Sequence, residues 1–352
     1  MITYITVDST ITGVGKYAYD MYNLLKPDSE IVQVLFDKKY SDVNYKKPVN
    51  GSSYTIVNYL FSGFVYKNTI NMINSRENII HITSQTMKPI FKANHMVVTV
   101  HDILATQKHS NKDSIINTLK KRYLKNYLKS YIKYENILTI SNYVKTGILN
   151  TFNIDEKKIT VINPYVPNYF YYINEKSQLR SKLGLPLDKK LILSISSDQP
   201  RKNLGMVKNV MQSLDNDFKL VRIGPQVGNS ITFNNVDPET INDIYNACDV
   251  LYFPTLMEGF GYPVVEAFKT GLPVVSSDID VIREISSDAA LLVNPNDLKE
   301  NINAIKYILD NKENFIEKGK IVAEKYSPCF IRHRLVNYYN SILEGSVRDK
   351  TN

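Results

Sequence analysis

The side chains best suited to chemistry fall in a few short stretches of this 352-residue chain. Glu258 and Glu266 are separated by seven residues in EGFGYPVVE. The run before them, 250–253, is apolar and closes at Pro254, which reads as a buried strand. Pro263 stands where a first helical residue is wanted, and Gly271 where that helix should stop. Glu258 is therefore expected in a loop and Glu266 in the first turn of a helix. Both would border a crevice at the carboxyl end of a parallel sheet. Gly259 and Gly261 flank Phe260, so the backbone can approach a ligand there. The free N–H groups of the helix behind suit a phosphate.

Arg201 and Lys202 lie in SDQPRKN, between the apolar run LILSIS (191–196) and a helix expected from Leu204. Two cations beside a helix N-terminus suit a diphosphate, although an isolated Arg-Lys on a loop reads equally well as solvated surface. His101 ends the strand MVVTV (96–100), a position suited to chemistry and also to a purely structural histidine. Gly13 and Gly15 lie in a loop between ITYITV (2–7) and a helix YAYDMYNLL. That loop is either a phosphate cradle or a plain tight turn. Any one of these features fits an ordinary βαβ crossover. Asp278 and Asp280 form an Asp-x-Asp, read here as a loop after a core strand rather than as a metal site.

The elements that must carry these residues alternate strand and helix along the chain, as in a parallel α/β fold. A chain of this length suits two domains. Apolar content of 43% and charged content of 22% describe a globular protein, and no apolar run approaches the ~20 residues of a membrane span. The start MITYITVDST lacks the marks of a signal peptide, and Cys248 and Cys329 make neither a disulfide framework nor a zinc cluster. A reducing cytoplasm is expected. Charge is uneven: residues 1–165 carry 21 Lys and Arg against 12 Asp and Glu, and the rest are near neutral. A basic half suggests an anionic partner. Residues 119–134, LKKRYLKNYLKSYIKY, hold six basic residues and no acid. Arg122, Lys125, Lys129 and Lys133 gather on one side of a helical projection, opposite Leu119, Tyr123, Tyr127, Leu128 and Tyr131. This is either a core-packed helix with a solvated back or a helix lying on the inner membrane face. No nucleic-acid-binding motif is recognisable, so a nucleic-acid partner is not favoured.

Taken together, PTLMEGFGYPVVEAFKTGLPVVSS (254–277) resembles the signature of the retaining, nucleotide-sugar-dependent glycosyltransferases of family 4. VTVHDIL (98–104), the Gly13-x-Gly15-Lys-Tyr loop, PRKN (200–203) and AALLVNP (289–295) resemble further elements of that family. Asn163-Pro164 departs from it, because relatives carry a glycine after the Asn and proline forbids a positive φ. The resemblance implies a GT-B fold, two Rossmann-like α/β domains facing across a cleft. The expected boundaries are 1–165 for an acceptor domain, 166–190 for a linker and 191–329 for a donor domain. A terminal helix (330–344) would return to the first domain.

The implied reaction moves a sugar from a UDP- or GDP-linked donor to a hydroxyl on a glycan, lipid-linked or protein acceptor. Arg201 and Lys202 would hold the donor diphosphate, together with the backbone at Gly259, Phe260 and Gly261. Glu266 would accept hydrogen bonds from the ribose diol. Glu258 and His101 would contact the transferred sugar, and Gly13 and Gly15 would face the donor phosphates and the acceptor. No cofactor and no metal are expected beyond the donor substrate. The alternatives are a nucleic-acid-modifying or -binding protein and a GT-B sugar-nucleotide epimerase.

Overall fold

Strands of a parallel sheet are covered on both faces, so they read as continuous apolar runs. The computed structural model describes residues 2–6, 13–26, 28–33, 78–83, 95–103, 128–129 and 132–348. Elements are numbered over these residues. They fall into two units: the part up to Pro164 together with the part from Ile331, and Tyr165–Phe330.

Unit 1 contains β1 (Ile2–Thr6), α1 (Gly13–Leu24), β2 (Ser29–Gln33), β3 (Ile79–Ile82), β4 (His95–Val100), β5 (Asn136–Thr139), α2 (Asn142–Thr151) and β6 (Ile159–Val161). Its strands pair in parallel in the order β2-β1-β3-β4-β5-β6. All four residues of β3 and all six of β4 are buried. The order reverses between β1 and β3, so the crossovers diverge there and leave a crevice at the carboxyl ends. Ser141 caps α2, its hydroxyl accepting from Val144 N at 3.2 Å.

Unit 2 contains α3 (Lys176–Lys182), β7 (Lys190–Ile195), α4 (Leu204–Ser213), β8 (Phe218–Ile223), β9 (Ile231–Phe233), α5 (Pro238–Ala247), β10 (Val250–Phe253), α6 (Tyr262–Lys269), β11 (Val274–Ser277), α7 (Asp280–Ser286), β12 (Ala290–Val293), α8 (Leu298–Asp310) and α9 (Lys312–Glu324). Its sheet order is β12-β11-β10-β7-β8-β9, again parallel, and it reverses between β7 and β10. The core on one face joins Ile192, Val250, Tyr252 and Val275 to Val207, Val210, Ile305 and Ile308 of α4 and α8. Asp237 and Pro238 start α5 as a capped helix, Asp237 accepting from Glu239 N and Thr240 N.

The last helix, α10 (Pro328–Arg348), starts at Pro328 and is longer than the expected 330–344. From Ile331 onward it belongs to unit 1. There Tyr339 donates its hydroxyl to Tyr4 at 3.1 Å and takes the Nδ1–H of His81 at 2.6 Å. His81 Nε2 accepts from Thr99 at 2.6 Å. All four residues are buried. Burial holds His81 down to about 3, so this polar chain is neutral.

Three expectations need correction. The segment 166–190, read from its prolines as a linker, is part of unit 2 and includes α3. Side chains of α5 satisfy its backbone: Tyr171 N donates to Asn242 Oδ1 at 3.0 Å and Ile173 N to Asn246 Oδ1 at 2.8 Å. Buried Arg180 pairs with Asp249 at 2.6 Å and donates to the carbonyls of Ala247 and Lys189. Gly13 and Gly15 do not precede α1 but form its first turn. Glu266 is the fifth residue of α6, hence in its second turn, because Gly261 caps the helix and Tyr262 opens it. The basic stretch 119–134 lies outside the described residues, apart from 128–129 and 132–134. Within those, Leu128 is buried and Lys129 and Lys133 are exposed.

Candidate active site

In unit 2 the switch point puts the loops after β7 and β10 side by side at the carboxyl edge of the sheet. The β7 loop closes in a 3-10 turn, Pro200–Lys202, and Asn203 then takes a left-handed conformation with φ 56°. Asn tolerates that conformation better than most residues, and its side chain donates to Pro295 O at 2.9 Å. The turn projects Arg201 and Lys202 from adjacent positions. The β10 loop bonds to it directly, with Leu256 N donating to Arg201 O at 2.7 Å. Thr255 Oγ1 lies 3.1 Å from the same carbonyl.

These loops bring Glu258 onto both cations. Lys202 Nζ pairs with Glu258 Oε1, and Arg201 Nη1 lies 3.1 Å from Oε2. Thr255 donates to Oε1 at 2.9 Å, and Arg201 is fixed further by Met257 O at 3.0 Å and Gln199 Oε1 at 2.9 Å. The side chains are 9% exposed for Glu258, 13% for Lys202 and 29% for Arg201, so the triad is largely shielded from water. Burial holds the Lys202 ammonium below its ordinary value, against the opposing pull of Glu258. The arrangement offers two preorganised cations and one carboxylate at a sheet edge.

Behind the triad, Gly261 has φ 107°, open to glycine and strained for other residues. A Cβ there would also stand 2.9 Å from Ile282 Cδ1. Gly271 ends α6 at φ 70°, with Gly271 N bonded to Phe268 O and Leu272 N to Ala267 O. Phe260 is buried and packs edge-on against Tyr262 and Tyr326, so its side chain is an anchor and only its backbone faces the loop. Glu266 is buried on α6, where Tyr245 donates its hydroxyl to Oε2 at 2.7 Å. Asp278 and Asp280 both engage Arg283, at 2.5 and 3.0 Å. Among the described residues no cluster of three His, Cys, Asp or Glu is spaced to hold a metal.

In unit 1, His101 follows β4 at the corresponding edge of that sheet. Its Nε2 is 2.6 Å from Thr83 O, the residue after β3, so Nε2 carries the proton. Burial lowers the ring to about 4, so it is neutral at pH 7 with the lone pair on Nδ1. The Tyr17 ring of α1 meets it edge-on, 4.8 Å between centroids. Gly147 lets α2 take Ile103 from the same loop, since a Cβ there would fall 1.9 Å from Ile103 Cδ1. Gly13 has no such role: a Cβ would meet nothing within 4 Å among the described residues.

The structure therefore joins Arg201, Lys202 and Glu258 into one group and places Glu266, Gly259, Phe260 and Gly261 on the adjoining loop and helix. His101, Gly13 and Gly15 belong to unit 1. Sequence reasoning missed Thr255 and Tyr245, whose types carry no signal in a loop and an amphipathic helix. It also missed Arg222, for which the signal was present as a charge between Val221 and Ile223 in the expected strand KLVRI.

Residues 175–322 match the family model described as Glycosyl transferases group 1. An O-antigen chain mannosyltransferase of Salmonella typhimurium is 26% identical over 327 residues, covering 84% of this chain and 87% of the relative. Among solved structures, sucrose-phosphate synthase from Thermosynechococcus elongatus superposes with a TM-score of 0.75 at 17% identity, over 98% of this chain and 99% of the other. Anabaena Alr3699/HepE in complex with UDP and glucose gives 0.73 at 16% identity, over 97% and 99%. These likenesses establish a GT-B fold. The match to that family model falls within unit 2 and spans the Arg201–Lys202–Glu258 triad at its switch point.

Proposed function

We propose that the protein is a retaining glycosyltransferase of family 4, moving a hexose from a nucleoside-diphosphate sugar to an acceptor hydroxyl on a glycan, lipid or protein. The observation that carries this is the shielded pair Arg201 and Lys202, fixed at the switch point within the matched residues. A donor diphosphate is the ligand such a pair suits best. In the reaction the bond from the sugar's C1 to the phosphate oxygen breaks, and a bond from C1 to the acceptor oxygen forms. The acceptor's proton passes to the departing phosphate oxygen. The negative charge growing on that oxygen is what Arg201, Lys202 and the backbone N–H groups at Gly259–Gly261 stabilise; one such donor typically contributes ~2.7–4 kcal/mol. Glu266, held by Tyr245 through one oxygen, accepts from the ribose. Glu258 contacts the sugar. The mannosyltransferase relative favours mannose as the hexose.

A thermal-shift panel of UDP- and GDP-sugars tests the reading. A bound donor at 100 times its dissociation constant raises stability by ~2.7 kcal/mol. Glu266→Ala should lose most of that shift. No stabilisation by any UDP- or GDP-sugar would overturn the proposal.

A further inference from the structure

Unit 2 buries two arginines, and they differ in one respect. Arg180 is buried against Asp249, a carboxylate 2.6 Å away. Arg222 on β8 is 0% exposed, and no carboxylate among the described residues pairs with it. Among the described residues its guanidinium meets only neutral oxygens: Ser194 Oγ at 2.9 Å, Ser196 Oγ at 3.3 Å, Ser196 O at 2.9 Å and Pro225 O at 3.2 Å. Burying a cation without a counter-charge is costly, and a neutral side chain of similar volume removes that cost. Burial brings the guanidinium down to about 10, which leaves it charged at neutral pH. A structural clamp alone does not explain a retained positive charge.

Its location supplies a reason. Ser196 and Pro225 lie in the loops that follow β7 and β8, at the carboxyl edge of the sheet. The first of these loops ends in Arg201 and Lys202. The two loops touch at backbone level: Ser196 N donates to Ile223 O at 3.2 Å, and a Cβ on Gly224 would lie 2.2 Å from Ser196 O. Arg222 therefore sits underneath the loop that carries Arg201 and Lys202.

We propose that Arg222 is a positioning residue for anion binding, a third positive charge beneath the β7 loop whose counter-charge is the diphosphate of the donor. It touches no ligand; it holds Ser196 and Pro225 in place and adds its field to that of Arg201 and Lys202. This rests on the diphosphate reading given above.

The test is binding of UDP and GDP, and of uridine and guanosine, to the wild type and to Arg222→Gln, Arg222→Met and Arg222→Lys. Both neutral variants should weaken the nucleoside diphosphate at least five-fold and leave the matching nucleoside within two-fold. Arg222→Lys, which keeps the charge, should hold the diphosphate-to-nucleoside ratio within two-fold of wild type. Equal loss of both ligands in the neutral variants would make Arg222 a structural clamp and overturn the proposal, as would no loss of either. A lysine variant that behaves like the neutral ones also overturns it. Should neither neutral variant fold, the lysine variant decides: a retained ratio supports the proposal and a lost ratio ends it. A wild type that binds neither diphosphate overturns the underlying reading instead, and the inference with it.

Discussion

Glu258→Gln isolates the charge of the triad. The wild-type carboxylate is 9% exposed and takes hydrogen bonds from Lys202, Arg201 and Thr255. The amide keeps most of the shape and one acceptor oxygen, but Lys202 and Arg201 then face each other without an anion between them. Removing one partner of a buried ion pair costs about 3–5 kcal/mol. Arg201 is 29% exposed, so solvent screens part of its share, and the low end, about 3 kcal/mol, is the expected loss. For a unit of this size each kcal/mol lowers Tm by about 2–4 °C, giving a fall of about 6–12 °C in calorimetry or thermal circular dichroism at neutral pH. Inorganic pyrophosphate sharpens the test. In the wild type it must displace a carboxylate from both cations; in the variant it meets two unpaired cations. Pyrophosphate should therefore stabilise the variant more than the wild type, while transfer activity falls because the carboxylate proposed to contact the sugar is gone. A Tm within about 1 °C of wild type, together with equal stabilisation of both by pyrophosphate, would refute the idea that this ion group is shielded and poised for an anion.

Lys202 has a folded value below 10.5 because it is buried, so it is cationic on the acid side of that value. Nucleoside-diphosphate affinity should be complete there and fall as pH rises through it, before 10.5; a flat profile up to 10.5 would contradict this. For stability the sign is opposite: the unfolded chain binds this proton more tightly, so the burial penalty fades as pH rises. Gly261→Ala combines a φ of 107° with a Cβ 2.9 Å from Ile282, and should destabilise unit 2 by about 1–3 kcal/mol in denaturant unfolding and weaken donor binding. If 119–134 is a membrane-surface helix, wild type should float with anionic vesicles at low salt and not with neutral ones, each cation contributing ~1 kcal/mol. Replacing Arg122, Lys125, Lys129 and Lys133 with Gln should then abolish flotation and spare donor binding; a wild type that stays soluble with anionic vesicles makes that stretch a structural one.

Much of the fold was legible from local rules. The apolar runs 191–196 and 250–253 correspond closely to β7 and β10, because a strand buried on both faces has no polar face to confuse the pattern. Pro263 and Gly271 bracketed α6 to within a residue, since one fixes φ at a helix start and the other reaches the left-handed turn at its end. The type and spacing of Arg201, Lys202, Glu258 and Glu266 were likewise readable, as was the place of the first three in loops, whereas Glu266 lies one turn further into its helix than its spacing from Pro263 suggested.

Tertiary structure decided what those residues hold. Sequence spacing does not say that the order of strands reverses between β7 and β10, and that reversal alone sets two loops over fifty residues apart onto one carboxylate. It decided that 165–190 folds onto α5, since prolines mark where helices stop but not which side chains satisfy the chain between them. It decided that Glu266 is met by Tyr245, and that Arg222 is buried with no anion beside it among the described residues. Periodicity and capping act over a few residues, so the sequence alone determined the elements and the chemistry each carries. Counter-charge and burial are sums over the whole packed unit, and only the fold determines them.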